Sequence, residues 1–200
     1  MKVLNKGVSP ANVWDSLFLR AGELLMQQPG IVGIHCVTSA NALHYGYQAS
    51  GNDETRRMLM LQAAAFLALF RKRMGANLHE ERQVDTLAKV PVAAGGAGAV
   101  EEVLADISKD RMLAAQKAIT LAQDRPEDMA ALMTAARRLI FSKGHDSHDY
   151  KFSSAALEDF YNTTGPWRAR LLATSMFNLH GSGDKNNDLI EQAREVLSKV

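Results

Sequence analysis

Residues 58–70 read MLMLQAAAFLALF, from Met58 to Phe70, interrupted only by Gln62. A run this rich in Ala, Leu, Met and Phe has strong helix formers and no glycine or proline. Asp53 stands ahead of it as a cap and Gly75 stops it, so the sequence predicts a helix over Glu54 to Met74. Apolar residues fall on nearly every side of that helix, and a helix of this kind belongs at the centre of a core. At thirteen residues the run is shorter than the roughly 20 needed to span a bilayer, which predicts no membrane segment.

Outward from this segment the punctuation is helical throughout. Ser9-Pro10 is a cap followed by the favoured first-turn proline, and the helix through Trp14, Leu17, Phe18, Leu24 and Leu25 stops at Pro29-Gly30. Ile31 to Ala49 forms a second helix, ending at Ser50-Gly51-Asn52. After the central helix, a weaker one is expected over Leu78 to Ala88. Residues 89–99, with Pro91 and the Gly95-Gly96-Ala97-Gly98 run, read as a flexible loop or linker. Val100 to Gln123 reads as one helix. Pro126 opens another, running to Ser142 and stopped by Gly144. Further helices are expected from the cluster after Gly144 to about Tyr161, from Pro166 to His180, and from Asp188 to Ser198. No alternating strand pattern and no repeat is present. The expectation is one all-α domain over 1–200, a compact bundle of about seven to nine helices.

Composition narrows the function classes. The chain has 200 residues, 46% of them hydrophobic and 22% charged, which supports a sizeable core. A net charge of +1 with scattered basic pairs predicts no nucleic-acid partner. The single cysteine, Cys36, forms no intramolecular disulfide. With an N-terminus lacking a signal-like apolar core, this suggests a cytoplasmic protein. There is no dinucleotide fingerprint, Walker spacing, nucleophile elbow or H-E-x-x-H motif.

The densest chemistry is in His145-Asp146-Ser147-His148-Asp149-Tyr150-Lys151-Phe152. On a helix, His148, Phe152, Ala155, Ala156 and Asp159 share one sector, Lys151 lies at its edge, and His145 joins if the helix extends back that far. A buried histidine and aspartate need partners or a metal. The competing reading is capping by Asp146 or Ser147, with Asp149 favouring the helix dipole. A second cluster surrounds His35, where Thr38, Ser39, Ala42 and Gly46 leave room on the same side; its alternative is a hydrogen-bonded core histidine. His44 lies on the opposite side of that helix. Cys36 reads as a buried apolar residue.

Two segments carry a family resemblance. PGIVGIHCVTSANALHY (Pro29–Tyr45) resembles the H-x-[VI]-T-x-x-x-A-L pattern of questin oxidase-like proteins, and HDSHDYKFSSAALEDF followed by WRARLLATSMFNL resembles that family's H-x-x-K-F-x-x-A-x-L segment. The resemblance implies oxidation of an aromatic polyketide-type small molecule at non-heme iron, with NADPH as a further cofactor. It implies metal ligands at His35, His148 and Lys151, the lysine carboxylated, with His145 a further candidate. Asp159 and Asn41 would support the ligands from a second layer. Asn41 stands where a second family histidine is expected, and the chain is shorter than its family pattern. These departures motivate the alternative of a non-catalytic helical scaffold or partner-binding protein, with self-association expected.

Overall fold

In the computed structural model, which describes residues 4–199, the helical expectation holds: nine α-helices and no strand lie among the described residues. They are α1 (Pro10–Gln27), α2 (Ile31–Ala49), α3 (Asp53–Met74), α4 (Ala97–Ile107), α5 (Arg111–Asp124), α6 (Met129–Lys143), α7 (Ser147–Asn162), α8 (Gly165–Ser175) and α9 (Asp188–Leu197). The first three pack together, and α4–α6 form a second group. Between them, α7 contacts α2 and α6, while α8 contacts α1 and α5. No helix among the described residues is long and apolar enough to cross a membrane.

The central helix is α1, not α3. Trp14, Phe18, Ala21, Leu24, Leu25 and Met26 are all buried, because α2, α3 and α8 cover α1 from different sides. By contrast, α3 buries only Met60, Ala63, Leu67 and Met74. Leu59, Phe66 and Phe70 are half-buried and Met58, Leu61 and Leu69 are exposed, so apolar character on every side did not translate into burial on every side. Its cap is also one residue earlier than expected: Asn52 Oδ1 accepts the Thr55 N–H at 2.8 Å, and Asp53 is the first helical residue.

Burying α1 strands the carbonyls at its C-terminal end, which every helix leaves without intrahelical partners. The segment expected as a helix over Leu78–Ala88 meets that need instead. Arg82 Nη1 donates to Met26 O at 2.9 Å, and the His79 N–H donates to Gln27 O at 3.0 Å. Only Val84–Thr86 makes a helical turn, of the tighter 3-10 kind. Residues further along are tied to the second group. Thr120 Oγ1 donates to Val90 O, Arg125 Nη1 to Ala94 O, and the Glu102 carboxylate accepts the N–H groups of Ala93 and Ala94. The Gly-rich loop ends at Gly96, whose φ of 52° suits glycine, and helix resumes at Ala97 inside the 89–99 stretch.

The single helix expected over Val100–Gln123 is two. Asp110 breaks it by capping α5, accepting the N–H groups of Met112 and Leu113. Lys117 then pins α4 to α5 through Glu102 and Asp106, each at 2.6 Å. The Lys117 ammonium, with the Ala93 and Ala94 N–H groups, holds the Glu102 carboxyl down to about 2. The Pro166–His180 helix stops at Ser175; Met176, Phe177 and Leu179 continue as buried loop residues.

Close packing joins α1 to α8. A Cβ at Gly22 would collide with the Oγ1 and Cβ of Thr174, so only glycine allows this approach. Gly22→Ala is expected to lose about 1–3 kcal/mol, read as a lower urea midpoint with an unchanged slope.

Candidate functional site

The two clusters nominated from sequence meet along the seam between α2 and α7. Asp146 ends the uncertainty about where α7 begins: its side chain accepts the N–H groups of His148 and Asp149, at 2.7 and 3.2 Å. That cap sets the register of the face on which His148 and Phe152 lie. Phe152 is fully buried, while His148 sits at the rim with its side chain 42% exposed. His35 comes from α2 to meet it. The two imidazole centroids are 5.8 Å apart with their planes at 85°, an edge-to-face arrangement. Phe70 of α3 stacks on His35 at 6.4 Å. Sequence reasoning did not nominate Phe70, which closes the apolar run and carries no signal of its own.

Further along the same seam, Asn41 Nδ2 donates to Asp159 Oδ1 at 2.9 Å and to Glu158 Oε2 at 3.1 Å. Gln48 Nε2 reaches Asn162 Oδ1 at 3.4 Å. The partners ascend together on both helices, so α2 and α7 run parallel. Asp159, expected to orient an imidazole, is buried and has the Asn41 amide for its partner. Burial pushes its carboxyl up to about 7, against the opposing hydrogen bonds of Asn41 and Asn162.

Two candidates stand apart from the buried face. His145 precedes the Asp146 cap, so it is off the helix and exposed; its N–H donates to Asp149 Oδ2 at 2.8 Å. Lys151 is on α7, one turn after His148, with its side chain in solvent. Asp146 is a cap, and His148 faces the imidazole of another helix.

His44 lies across α2 from His35, as the spacing predicts. It is buried against Trp14 and Phe18, with ring centroids at 4.8 and 5.0 Å. Desolvation lowers its pKa, against the attraction of Glu158 and Asp15. Burial pushes the Cys36 thiol up to about 12, which keeps it protonated and unreactive. His180 makes an arrangement the sequence did not show. Its Nδ1 hydrogen-bonds Asp184 Oδ2 at 3.2 Å, and its Nε2, without a hydrogen bond, lies 3.3 Å from Asp149 Oδ2, which sets the loop after α8 against the start of α7. The two aspartates come from positions far apart in the chain, and only the tertiary fold places them around one ring.

Among the described residues, no group of three or more His, Cys, Asp or Glu side chains is arranged to hold a metal ion. A cleft of about 590 Å³ lined by Phe141, Tyr150, Leu157 and Tyr161 lies between α6 and α7. Helical spacing puts Tyr150 on the side of α7 away from His148, so this cleft and the imidazole pair occupy different flanks. No family model, no curated protein and no solved structure matches this chain.

The buried Asp159 carboxyl gives a signed pH dependence. Its folded pKa lies above its unfolded value, so its contribution is complete below about pH 4 and is lost as pH rises through about 7. Asp159→Asn removes that term. The variant is expected to gain stability relative to the parent as pH rises from 4 to 8, read from urea midpoints at each pH.

Proposed function

We propose that this chain binds a transition metal at the α2–α7 seam and is an oxygenase of the questin oxidase-like kind, acting on an aromatic polyketide-type small molecule. One observation supports the reading. His35 and His148, nominated from separate motifs on different helices, lie with ring centroids 5.8 Å apart on a half-open face. Two imidazoles suit iron, zinc or copper.

The donor set is complete only with Lys151. No third histidine, cysteine or carboxylate joins the pair among the described residues. Lys151 stands one turn from His148 and its solvent exposure leaves its amine open to carbon dioxide. As a carbamate it would offer an anionic oxygen, a donor suited to iron. Bound iron would supply dioxygen activation, with NADPH as the electron source the resemblance implies. The chain's own residues shape the face. Asp146 Oδ1 lies 3.6 Å from His148 Nδ1, too long for a hydrogen bond, and leaves both ring nitrogens open. Phe70 screens one side of His35 from water. Asp159 holds Asn41 in place of an imidazole, and so acts on the helix seam. The cytoplasmic location belongs to this proposal too, supported by the one unpaired, buried thiol.

A second reading, a non-catalytic partner-binding protein, is favoured by the exposed apolar side of α3. Metal titration separates the two. The oxygenase reading expects one equivalent of ferrous iron per chain, with affinity at least about 10-fold lower in His35→Ala and His148→Ala. It expects bicarbonate to strengthen binding in the parent and to have no effect in Lys151→Ala. No stoichiometric metal, or binding that survives His148→Ala unchanged, overturns it.

A further inference from the structure

The helix α3 has two apolar sides, and the fold uses one. Met60, Ala63, Leu67 and Met74 point into the molecule. At about 100° per residue, Met58, Leu61, Ala65 and Leu69 project to the opposite side. Met58 and Leu69 are each 60% exposed and Leu61 is 42% exposed, with Ala65 and Ala68 exposed between them. Large side chains in a row on one exposed helix face are a recognised mark of an interaction surface. The same stripe continues at each end into a charged residue: Glu54 at the start of the helix and Lys72 at its finish, both exposed.

The charge pattern along α3 identifies the occupant. Its first turn carries Asp53 and Glu54, and its last carries Arg71, Lys72 and Arg73. Asp53 pairs with Arg57 and Arg71 with Glu80, while Glu54 and Lys72 lie on the stripe itself; an antiparallel copy brings each Glu54 to a Lys72 and a parallel copy sets like charges together, as it does the macrodipoles. We propose that the outer side of α3 is a homodimer interface, in which α3 of a second copy packs antiparallel across a two-fold axis that passes between Leu61 and Ala65. A two-fold axis makes each contact occur twice. In this register Met58 faces the second copy's Ala68, Leu61 faces its Ala65, and Glu54 faces its Lys72. Large side chains meet small ones in each apolar pair, so the axes can approach to about 8–10 Å. The 22-residue helix is about 33 Å long. One helix face of that length is at the small end of stable interfaces, so the dimer forms in a concentration-dependent way.

This interface stands independently of any metal at the α2–α7 seam. It is tested by sedimentation equilibrium of the full chain over a concentration series, with circular dichroism confirming that each variant keeps its helical content. The parent is expected to shift from monomer to dimer as concentration rises, and Ala65→Glu to stay monomeric. Glu54→Lys and Lys72→Glu are each expected to weaken dimerisation, and the double variant Glu54→Lys/Lys72→Glu to restore it. Restoration cannot be intramolecular, because the two positions are about 27 Å apart along one helix. An equimolar mixture of the two single variants is expected to form a heterodimer. A parent that is monomeric throughout, as when another protein or another segment covers this face, overturns the proposal. So does a dimer indifferent to Ala65→Glu, or a double variant that stays as weak as the singles.

Discussion

Burying α1 is the constraint from which most of the architecture follows. A helix covered on several sides gains the transfer of Trp14, Phe18, Leu24 and Leu25 out of water. It also strands the peptide groups at its ends and the polar residues along it, and each of these needs a partner. The strap after α3 supplies donors for the carbonyls of Met26 and Gln27. Asp15, buried on α1, accepts the Thr164 N–H at 3.0 Å and so fixes where α8 begins. Gly22 then lets Thr174 of α8 come close enough to α1 to seal that side. The irregular segments of this protein are therefore parts of the core's hydrogen bonding, not spacers between helices.

The seam between α2 and α7 has a different character. It is crossed by polar pairs: His35 with His148 at the rim, and Asn41 with Asp159 within. A buried carboxyl whose pKa reaches about 7 costs stability whenever it ionises, and a neutral His44 buried nearby costs stability whenever it protonates. The Asp159 contribution is lost as pH rises and the His44 contribution as pH falls, so the two titrations oppose one another in sign. Polar groups gathered where two helices pack are an expensive way to build a seam, and that expense is the physical ground for treating the α2–α7 face as functional.

Helix existence was largely legible because capping and periodicity are local. Ser9-Pro10 starts α1, Gly75 with its φ of 70° ends α3, and the Asp146 cap begins α7, each as the residue types suggest. The errors came where a local signal had two uses. Asp110 could sit within a long helix or cap a new one, and the carbonyl-capping demands of the fold made Leu78–Ala88 a strap. The site was half legible. Spacing placed His148 beside Phe152 and set His44 apart from His35, but nothing local in the sequence brings His180 beside the distant Asp149.

The run from Met58 to Phe70 shows the division most clearly. Sequence alone determined that it is helical, since its residues favour that backbone and nothing breaks it. It also determined that apolar residues fall on nearly every side of that helix. Which side is buried was decided only by the tertiary structure. A helix's composition says that apolar surface must leave water; it does not say whether the cover is the same chain or another. Here α1 and α2 have room for one side, and the other is left facing outward.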